Sequence, residues 1–436
     1  MKRSKSIDLL LSLIILAAVM LVARNIDNRP SLEEKSSKKA PLLFQITWPA
    51  YSGRGEAIQR IVNLYNAENS DAFEITLVDG DEDRNAIEKR LTEPEAATIH
   101  VLPYRFVKYF AAKGYLEDLA DYFTEEEGWF YPELWRLGQV NGRMYGIPWL
   151  GHSIGLIYNK ELLAKAAVDV AAIRDLPSLV KALEAVEAKN GVRGIGLVGA
   201  NHNDVSWMVN QFVYGYGGRL VEQSGMRVAV NTPETKAALH FYRDVLGPHA
   251  QPSWIDDSGL EVMEHFRKKK IAFEFQGVWG ITDIEKNGHP FDVGIIRLED
   301  IGLYSEVGPM MLSIPGSMSR EKKKSALAFI KFMISKEAQL KIMEGEYSPE
   351  HDAYYPFRIP VRQDLADSVM TVKYPQYLPF LSAFKRPSID VPTPKWQIIK
   401  DEYYAPGLHQ VMTGEVSIED FLKRIESKGN EILRQP

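Results

Sequence analysis

The sequence predicts an α/β fold in which short apolar strands alternate with amphipathic helices. Residues 42–48 form an apolar run of branched and aromatic side chains that ends before Pro49, a pattern typical of a buried strand. Residues 56–68 then place apolar side chains at helical spacing, and residues 73–78 alternate like a second strand. This β-α-β opening favours a layered, parallel sheet covered by helices.

The same alternation continues to the end of the chain. At roughly 150 residues per domain, a length of 436 residues indicates two or three domains. The periodicity predicts, in order, a strand at 97–102, a helix at 106–119, strands at 144–148 and 153–158, a helix at 176–188, a strand at 194–198, a helical or mixed apolar segment at 207–215, helices at 232–246 and 259–269, strands at 271–275, 293–296 and 309–314, one or two helices within 320–343, and a helix at 418–433.

The composition excludes several classes of function. Lys and Arg number 52 against 58 Asp and Glu, a net charge of −6, so no overall cationic field attracts a nucleic acid. The chain contains no cysteine, which removes disulfides, thiolate metal sites, iron–sulfur clusters and thiol nucleophiles. Residues 41–436 alone carry 44 basic and 54 acidic side chains, so the body of the protein is more acidic than the whole chain.

The N-terminus predicts export. Basic residues precede an uncharged apolar run of 15 residues at 9–23, which is the layout of a secretory signal. Leu21 stands where signal cleavage prefers a small side chain, so residues 1–23 are a signal peptide or, uncleaved, a membrane anchor through residues 7–23. Residues 24–41 are polar and lack periodicity, as in a flexible tether. Because the basic residues stay on the cytoplasmic side, the body is expected to be extracytoplasmic, either periplasmic or at the outer face of the cytoplasmic membrane.

No motif indicates a cofactor, a metal or a catalytic centre. Residues 194–199 match a dinucleotide-binding glycine pattern, but a loop follows them where that pattern requires a helix. Residues 79–83 begin like a calcium loop, yet Arg84 and Arg90 stand where such a loop needs glycine and glutamate. The adjacent carboxylates at 256–257 leave an exported carbohydrate-active enzyme as an open alternative.

The placement of tryptophan is the strongest indication of a ligand. Several tryptophans lie at predicted strand ends or loops beside Gly, Pro, Asp or Asn, where α/β proteins bind their ligands. An indole covers the C–H face of a pyranose ring, while neighbouring amide, carboxylate and guanidinium groups bond its hydroxyls. Packing in the core is the alternative for each single tryptophan. The eight are Trp48, Trp129, Trp135, Trp149, Trp207, Trp254, Trp279 and Trp396.

Five stretches, taken in order along the chain, carry a resemblance to a known family. They are residues 141–149 (NGRMYGIPW), 154–160 (IGLIYNK), 217–218 (GG), 271–279 (IAFEFQGVW) and 326–343, which contains SKEA at 335–338. In this order they resemble the extracellular solute-binding proteins of ABC importers, specifically the sugar-binding group that includes maltose-binding protein. The resemblance covers residues 42–430, nearly the whole expected extracytoplasmic chain.

The resemblance implies a two-lobed, periplasmic-binding-protein-like α/β fold with the ligand cleft between the lobes. The chain is expected to cross between the lobes near residues 149–154, near residues 296–300, and a third time after Met343. The resulting lobes are 42–149 plus 300–343 for the first, and 154–296 plus 344–436 for the second.

The resemblance also implies which residues line the cleft. Trp207, Trp279 and Trp396 match aromatic positions that stack on sugar rings, and Arg105 matches a cleft arginine of the first lobe. The expected ligand-binding residues are Trp48, Tyr51, Arg54, Arg105, Trp149, His152, Trp207, Trp254, Trp279 and Trp396.

Two positions depart from the maltose-type pattern. Tyr104 stands where such members usually have an aspartate for sugar hydroxyls, and His152 stands where a glutamate is common. The identity of the sugar therefore stays open.

The sequence thus predicts an extracytoplasmic carbohydrate-binding subunit of an ABC transporter. It is expected to act as a monomer without cofactor or catalysis, capturing an oligosaccharide or glycoside by lobe closure and delivering it to a membrane permease. A membrane-anchored sugar sensor is the second alternative, favoured if the apolar segment stays uncleaved. Turnover of a glycoside would distinguish the enzyme, and genomic neighbours would distinguish the sensor.

Overall fold

Strands and helices alternate along the part of the chain that the structure, a computed structural model, describes. The described residues are 39–80, 83–93, 97–366, 373–386 and 391–435. The predicted signal peptide or anchor lies outside them, as does most of the predicted tether. Residues Pro41–Pro436 form one unit, and its mixture of helices and sheets confirms the α/β fold class.

The elements are numbered here in chain order. The strands are β1 (Ala40–Gln45), β2 (Phe73–Val78), β3 (Thr98–Pro103), β4 (Gln139–Val140), β5 (Arg143–Met144), β6 (Ile147–Ser153), β7 (Gly155–Asn159), β8 (Arg193–Gly196), β9 (Ile271–Gln276), β10 (Val293–Arg297), β11 (Val307–Ser313), β12 (Glu346–Ser348), β13 (Ala353–Tyr355) and β14 (Ile359–Pro360). The α-helices are α1 (Gly53–Glu68), α2 (Arg84–Leu91), α3 (Tyr104–Ala112), α4 (Pro132–Arg136), α5 (Lys160–Lys165), α6 (Leu176–Asn190), α7 (Asn203–Gly215), α8 (Pro233–His240), α9 (Gly259–Arg267), α10 (Val278–Lys286), α11 (Arg320–Met333), α12 (Lys336–Glu344), α13 (Gln363–Leu365), α14 (Leu378–Ser382), α15 (Trp396–Ile399), α16 (Ala405–Met412) and α17 (Ile418–Arg434). Two π-helical segments, Phe241–Leu246 and Lys400–Tyr404, continue α8 and α15.

The larger sheet has six strands in the order β14-β6-β11-β3-β1-β2. Strands β1 and β3 are parallel, with Phe44 opposite Ile99, whereas β11 runs antiparallel to both β3 and β6. The prediction of a parallel sheet is therefore wrong for this part of the fold. Helical connections between β1 and β3 return the chain in the same direction, so these two strands are parallel. Strand β11 instead follows a strand of the second, smaller sheet and runs the opposite way.

The smaller sheet has four strands in the order β10-β7-β9-β8. It is also mixed, because β8 and β9 are parallel while β7 is antiparallel to both β9 and β10. All six residues of β9 are buried, so this strand runs through the core of the sheet. Four of these residues are apolar and two, Glu274 and Gln276, are polar, so the burial of the whole strand indicates cover on both faces.

Two connections between the sheets lie side by side. Strand β6 ends at Ser153 and β7 begins at Gly155, so Ile154 alone separates strands of different sheets. The second connection joins β10 to β11 through residues 298–306. The Ser305 hydroxyl accepts a hydrogen bond from the Ile154 N–H at 3.0 Å and donates one to the Ile154 carbonyl at 2.8 Å. This buried hydroxyl therefore holds the two connections together.

The strand pairing differs from the predicted lobe boundaries at one place. Sheet membership changes at Ile154 and within residues 298–306, and the expected crossings near 149–154 and 296–300 stay predictions. Strand β14, however, pairs with β6 in the larger sheet, with Ile359 opposite Gly151. The assignment of all of 344–436 to the second lobe is wrong for this strand, because the chain first returns to the edge of the larger sheet. The other boundaries stay a prediction.

The substitution Ser305→Ala tests the junction between the connections. We expect it to lower the free energy of unfolding by about 1–3 kcal/mol, because both polar groups of Ile154 lose a buried partner. Urea unfolding measures the change. The exposed Ser224→Ala serves as the matched control and should stay within about 0.5 kcal/mol. Equal losses in the two variants would contradict the role given to Ser305.

Candidate functional site

A cavity lies where α3, α7 and α15 approach one another, beside the second connection between the sheets. The room it offers to water-sized groups is about 60 Å³, smaller than the roughly 300–1,000 Å³ typical of small-molecule sites. The polar and aromatic residues that line it include Tyr104, Arg105, Lys108, Asn203, Ser206, Trp207, Asn210, Glu306, Trp396, Gln397 and Lys400.

Helical spacing brings these side chains to the cavity. Helix α3 begins directly after β3, and Arg105 and Lys108 lie three residues apart on one of its faces. Helix α7 presents Asn203, Trp207 and Asn210, which are separated by four and three residues and so share one face. The cavity thus lies between helix α3, which follows β3 of the larger sheet, and helix α7, which follows β8 of the smaller sheet.

Two indoles and several amides give the cavity an aromatic and polar lining. Trp207 is half-buried, and Trp396 is buried against Tyr404, with ring centroids 5.4 Å apart. The Tyr404 hydroxyl donates a hydrogen bond to the Asn210 side-chain oxygen at 2.9 Å. This bond fixes the orientation of the amide that faces the cavity.

Glu306 is the buried carboxyl of this site. The Tyr104 hydroxyl donates to its Oε1 at 3.3 Å. Burial raises the pKa of the Glu306 carboxyl to about 7, although the positive charges of Arg105 and Lys400 oppose that rise. The group therefore exchanges its proton near neutral pH.

A second group of residues, the arginine–indole cluster, consists of Trp48, His152, Trp279 and Arg358. The Arg358 guanidinium lies 4.6 Å from the centre of the Trp279 ring and 5.1 Å from that of Trp48. The rings of His152 and Trp279 meet edge-on at 5.8 Å. Arg358 is buried, so these cation–π contacts are largely desolvated and correspondingly strong.

His152 connects this cluster electrostatically to the cavity. Burial, together with the positive charges of Arg358 and Arg105, lowers the pKa of its imidazole to about 3. Its Nδ1 atom is covered from solvent and has no hydrogen-bond partner among the described residues. His152 is therefore neutral at physiological pH.

Arg54 lies at the edge of the cluster in an ion pair. Its Nε atom is 3.1 Å from Oε1 of Glu346, whose other oxygen pairs with Lys286. Glu346 is buried, and the two cations come from α1 and α10. The guanidinium also lies 5.8 Å from the Trp48 ring.

Three of the predicted ligand-binding residues lie elsewhere. Trp149 is fully buried on β6 and meets Phe44 edge-on at 5.5 Å, so it is a core residue. Trp254 is buried against Tyr242 at 6.2 Å and does not line the cavity. Tyr51 projects into solvent with 81% of its surface exposed. In contrast, Arg105, Trp207 and Trp396 converge on the cavity, whereas Trp48, His152 and Trp279 converge on Arg358.

The sequence reasoning missed Glu306, Asn203, Asn210 and Arg358. The two asparagines could have been found from the sequence, because residues 203, 207 and 210 share one face of a helix with Trp207 among them. Glu306 and Arg358 lie outside helices and strands, where no periodicity indicates the direction of a side chain.

In the part of the chain that the structure describes, no group of three or more His, Asp or Glu side chains is placed to hold a metal ion. None of its helices is both long and apolar enough to span a bilayer. The predicted anchor at 7–23 lies outside the described residues.

Two mixed sheets joined by adjacent connections, with an aromatic and polar cavity beside them, define a solute-binding protein of the two-lobed class. The chain belongs to the bacterial extracellular solute-binding protein family, whose sequence profile matches residues 60–378. This membership confirms the resemblance and the expected extracytoplasmic location.

Solved structures share the fold along nearly the whole chain. An ABC transporter solute-binding protein from Thermotoga lettingae, bound to α-D-tagatose, has a TM-score of 0.78 at 20% identity and covers 90% of this chain and 100% of its own. Maltose-bound MalE3 of T. maritima has a TM-score of 0.75 at 20% identity, with coverages of 90% and 100%. UgpB from Mycobacterium tuberculosis, in complex with glycerophosphocholine, has a TM-score of 0.73 at 18% identity, with coverages of 90% and 98%.

The substitution Glu306→Gln tests the state of the buried carboxyl. Its pKa is about 7 in the folded chain against an ordinary 4.5, so the folded state binds the proton more tightly. This contribution to stability is present below about pH 4.5 and is lost as the pH rises to about 7, a change of up to about 3 kcal/mol. We subtract the free energy of unfolding of the variant from that of the wild type. We expect this difference to fall by that amount between pH 4.5 and pH 8.

Urea unfolding of both proteins at the two pH values measures this difference, and the subtraction cancels groups common to both. A difference that stays constant with pH would contradict the raised pKa.

Proposed function

We propose that the protein is the carbohydrate-binding subunit of an ABC importer, acting outside the cytoplasmic membrane. The observation that carries this proposal is the cavity between α3, α7 and α15, where the Trp207 and Trp396 indoles stand beside amide and charged side chains. Aromatic faces cover the C–H surface of a sugar, and the polar groups bond its hydroxyls. Several solved structures of the same fold hold polyhydroxylated ligands, namely tagatose, maltose and ribitol.

Ligand capture is proposed to work by closure of the two lobes. Arg105 follows a strand of the larger sheet, and Trp207 lies on the helix after β8 of the smaller sheet. A ligand that contacts both stabilises the closed arrangement, because the open one offers it fewer contacts. The permease then recognises the closed form. The protein is proposed to act as a monomer, to bind its ligand without chemistry, and to be exported by residues 1–23 or anchored through residues 7–23.

A thermal-shift panel of mono-, di- and oligosaccharides tests this function. A ligand at a hundredfold excess over its dissociation constant stabilises the fold by roughly 2.7 kcal/mol. Hits are then titrated against Trp207→Ala, which we expect to weaken binding at least about ten-fold, because a buried aromatic face contributes roughly 1.5–3 kcal/mol.

Trp129→Ala is the matched control. Trp129 is also half-buried, but it lies outside the cavity beneath Arg362, at 4.1 Å. Its substitution should leave sugar affinity unchanged. A protein that binds peptides or polyamines but no sugar would overturn the carbohydrate assignment and leave the family intact.

A further inference from the structure

The narrow cavity has a larger neighbour. This neighbour, the outer chamber, offers about 700 Å³ of room to water-sized groups, whereas the cavity itself offers about 60 Å³. Arg105, Asn203 and Gln397 line both spaces, so the two lie side by side. Small-molecule sites typically have roughly 300–1,000 Å³, so the cavity admits a sugar only when part of its wall moves.

An ion pair lies in the wall of the outer chamber. Arg84, the first residue of α2, has its Nε atom 3.3 Å from Oδ2 of Asp401 and its Nη2 atom 3.5 Å from Oε1 of Glu402. All three residues line the chamber. The Arg84 side chain is well covered, with 14% of its surface exposed, whereas the two acids are more open to solvent. Salt is therefore expected to weaken the pair without abolishing it.

The arginine is held on the side of the larger sheet. Its Nη1 atom donates to the Tyr109 hydroxyl at 3.0 Å, and its guanidinium lies 5.2 Å from the centre of that ring. The Tyr109 hydroxyl in turn donates to Oε2 of Glu88 at 3.3 Å. Helices α2 and α3, which carry these residues, follow strands β2 and β3 of the larger sheet. Arg84 is thus fixed to this side by its own neighbours.

The two acids are held on the other side of the chamber. They belong to the π-helical segment that continues α15, and Asp401 accepts from Nε2 of Gln397 at 2.7 Å. The last residue of that segment, Tyr404, donates to Asn210 of α7, and its ring lies 5.8 Å from that of Phe421 on α17. Helix α7 follows β8 of the smaller sheet. The ion pair therefore joins the two sides of the chamber.

An apolar contact accompanies the ion pair. Ile398 of α15 is half-buried and packs against an apolar cluster that includes Ile87 and Leu91 of α2 and Phe110 of α3. Residues 396–404 thus form a strap that contacts the α2–α3 side at two points, one apolar and one charged. The strap also carries three residues of the cavity wall, namely Trp396, Gln397 and Lys400.

This inference rests on the proposed function: we propose that Arg84 is a positioning residue that controls how a ligand enters and leaves the cavity. Its ion pair with Asp401 and Glu402 holds the strap against α2 and α3. When the pair separates, the strap moves away, and the cavity joins the outer chamber and becomes wide enough for a sugar. When the pair forms again, the strap encloses the ligand and slows its dissociation.

Distances between spin labels test the position of the strap without any ligand. The chain contains no cysteine, so Lys89→Cys on α2 and Lys423→Cys on α17, both at exposed positions, place one label on each side. The full-length chain, purified in a mild detergent, is measured by pulsed electron paramagnetic resonance. We expect Arg84→Met to enlarge the population at longer distance about two- to five-fold. In the wild type, about 1 M salt should act in the same direction.

Quenching by acrylamide tests access to the cavity. Trp396 is buried in the strap, and its emission is obtained by subtracting that of Trp396→Phe in each background. We expect its quenching constant to rise about two- to five-fold in Arg84→Met, because an open strap exposes the indole. A sugar identified by the thermal-shift panel should also dissociate from this variant faster by a similar factor, measured by stopped flow.

Matched variants assign the effect to the ion pair. Arg84→Lys keeps the charge and should stay close to the wild type, which a loss of packing would not explain. Asp401→Asn with Glu402→Gln removes the charge from the other side, and adding Arg84→Met to it should change little further. That pair of substitutions also gives the measurement if Arg84→Met does not fold. Arg227→Met is the control, because its ion pair with Glu426, at 3.4 Å, lies outside the described walls of both spaces.

The outcomes separate this inference from the proposed function. Equal label distances and equal quenching in the wild type and the folded Arg84→Met would overturn the inference and leave the function standing. A shift of the same size in Arg227→Met would overturn it as well. A chain whose strap responds as expected but that binds no sugar of the panel would keep the role of Arg84 and overturn the carbohydrate function.

Discussion

The hydroxyl of Ser305 is the contact on which the rest of the architecture depends. It bonds both polar groups of Ile154, the single residue between a strand of the larger sheet and a strand of the smaller one. The chain thus crosses twice at one point, and Glu306, the next residue, enters the cavity from that point. The junction that joins the two sheets therefore also positions the Glu306 carboxyl. The fold and the site thus depend on the same hydrogen bonds of Ser305.

Burial then decides the charge of each group around the cavity. Glu306 and His152 would normally be ionised and near-neutral, respectively, at pH 7. Within the protein the first holds its proton up to about pH 7, and the second stays neutral down to about pH 3. Each pKa shift favours the neutral form of its group, because burial penalises the charged form. The arginines keep their charge, since guanidinium is not deprotonated in proteins.

The fold class and three of the cavity residues could be predicted from the sequence, and the remainder could not for identifiable reasons. Trp207 and Trp396 combine an informative residue type with a recognisable order of elements. Trp149 does not differ from them in type, but it lies on β6, where every residue except the half-buried His152 is buried. Arg358 belongs to an irregular segment, so only the folded chain brings it between two indoles that are separated by 231 residues in sequence. Periodicity also does not predict the direction of β11, because a strand has the same periodicity in either orientation.

The position of Arg358 also has an optical consequence. A fixed charge beside an indole shifts the energies of its excited states, and here one guanidinium lies within 5.1 Å of the centres of two rings. Any movement of that side chain alters the electric field at Trp48 and Trp279 together. Two of the eight tryptophans therefore respond to events at this place, and a change in their share of the intrinsic emission can be followed in real time without an attached dye.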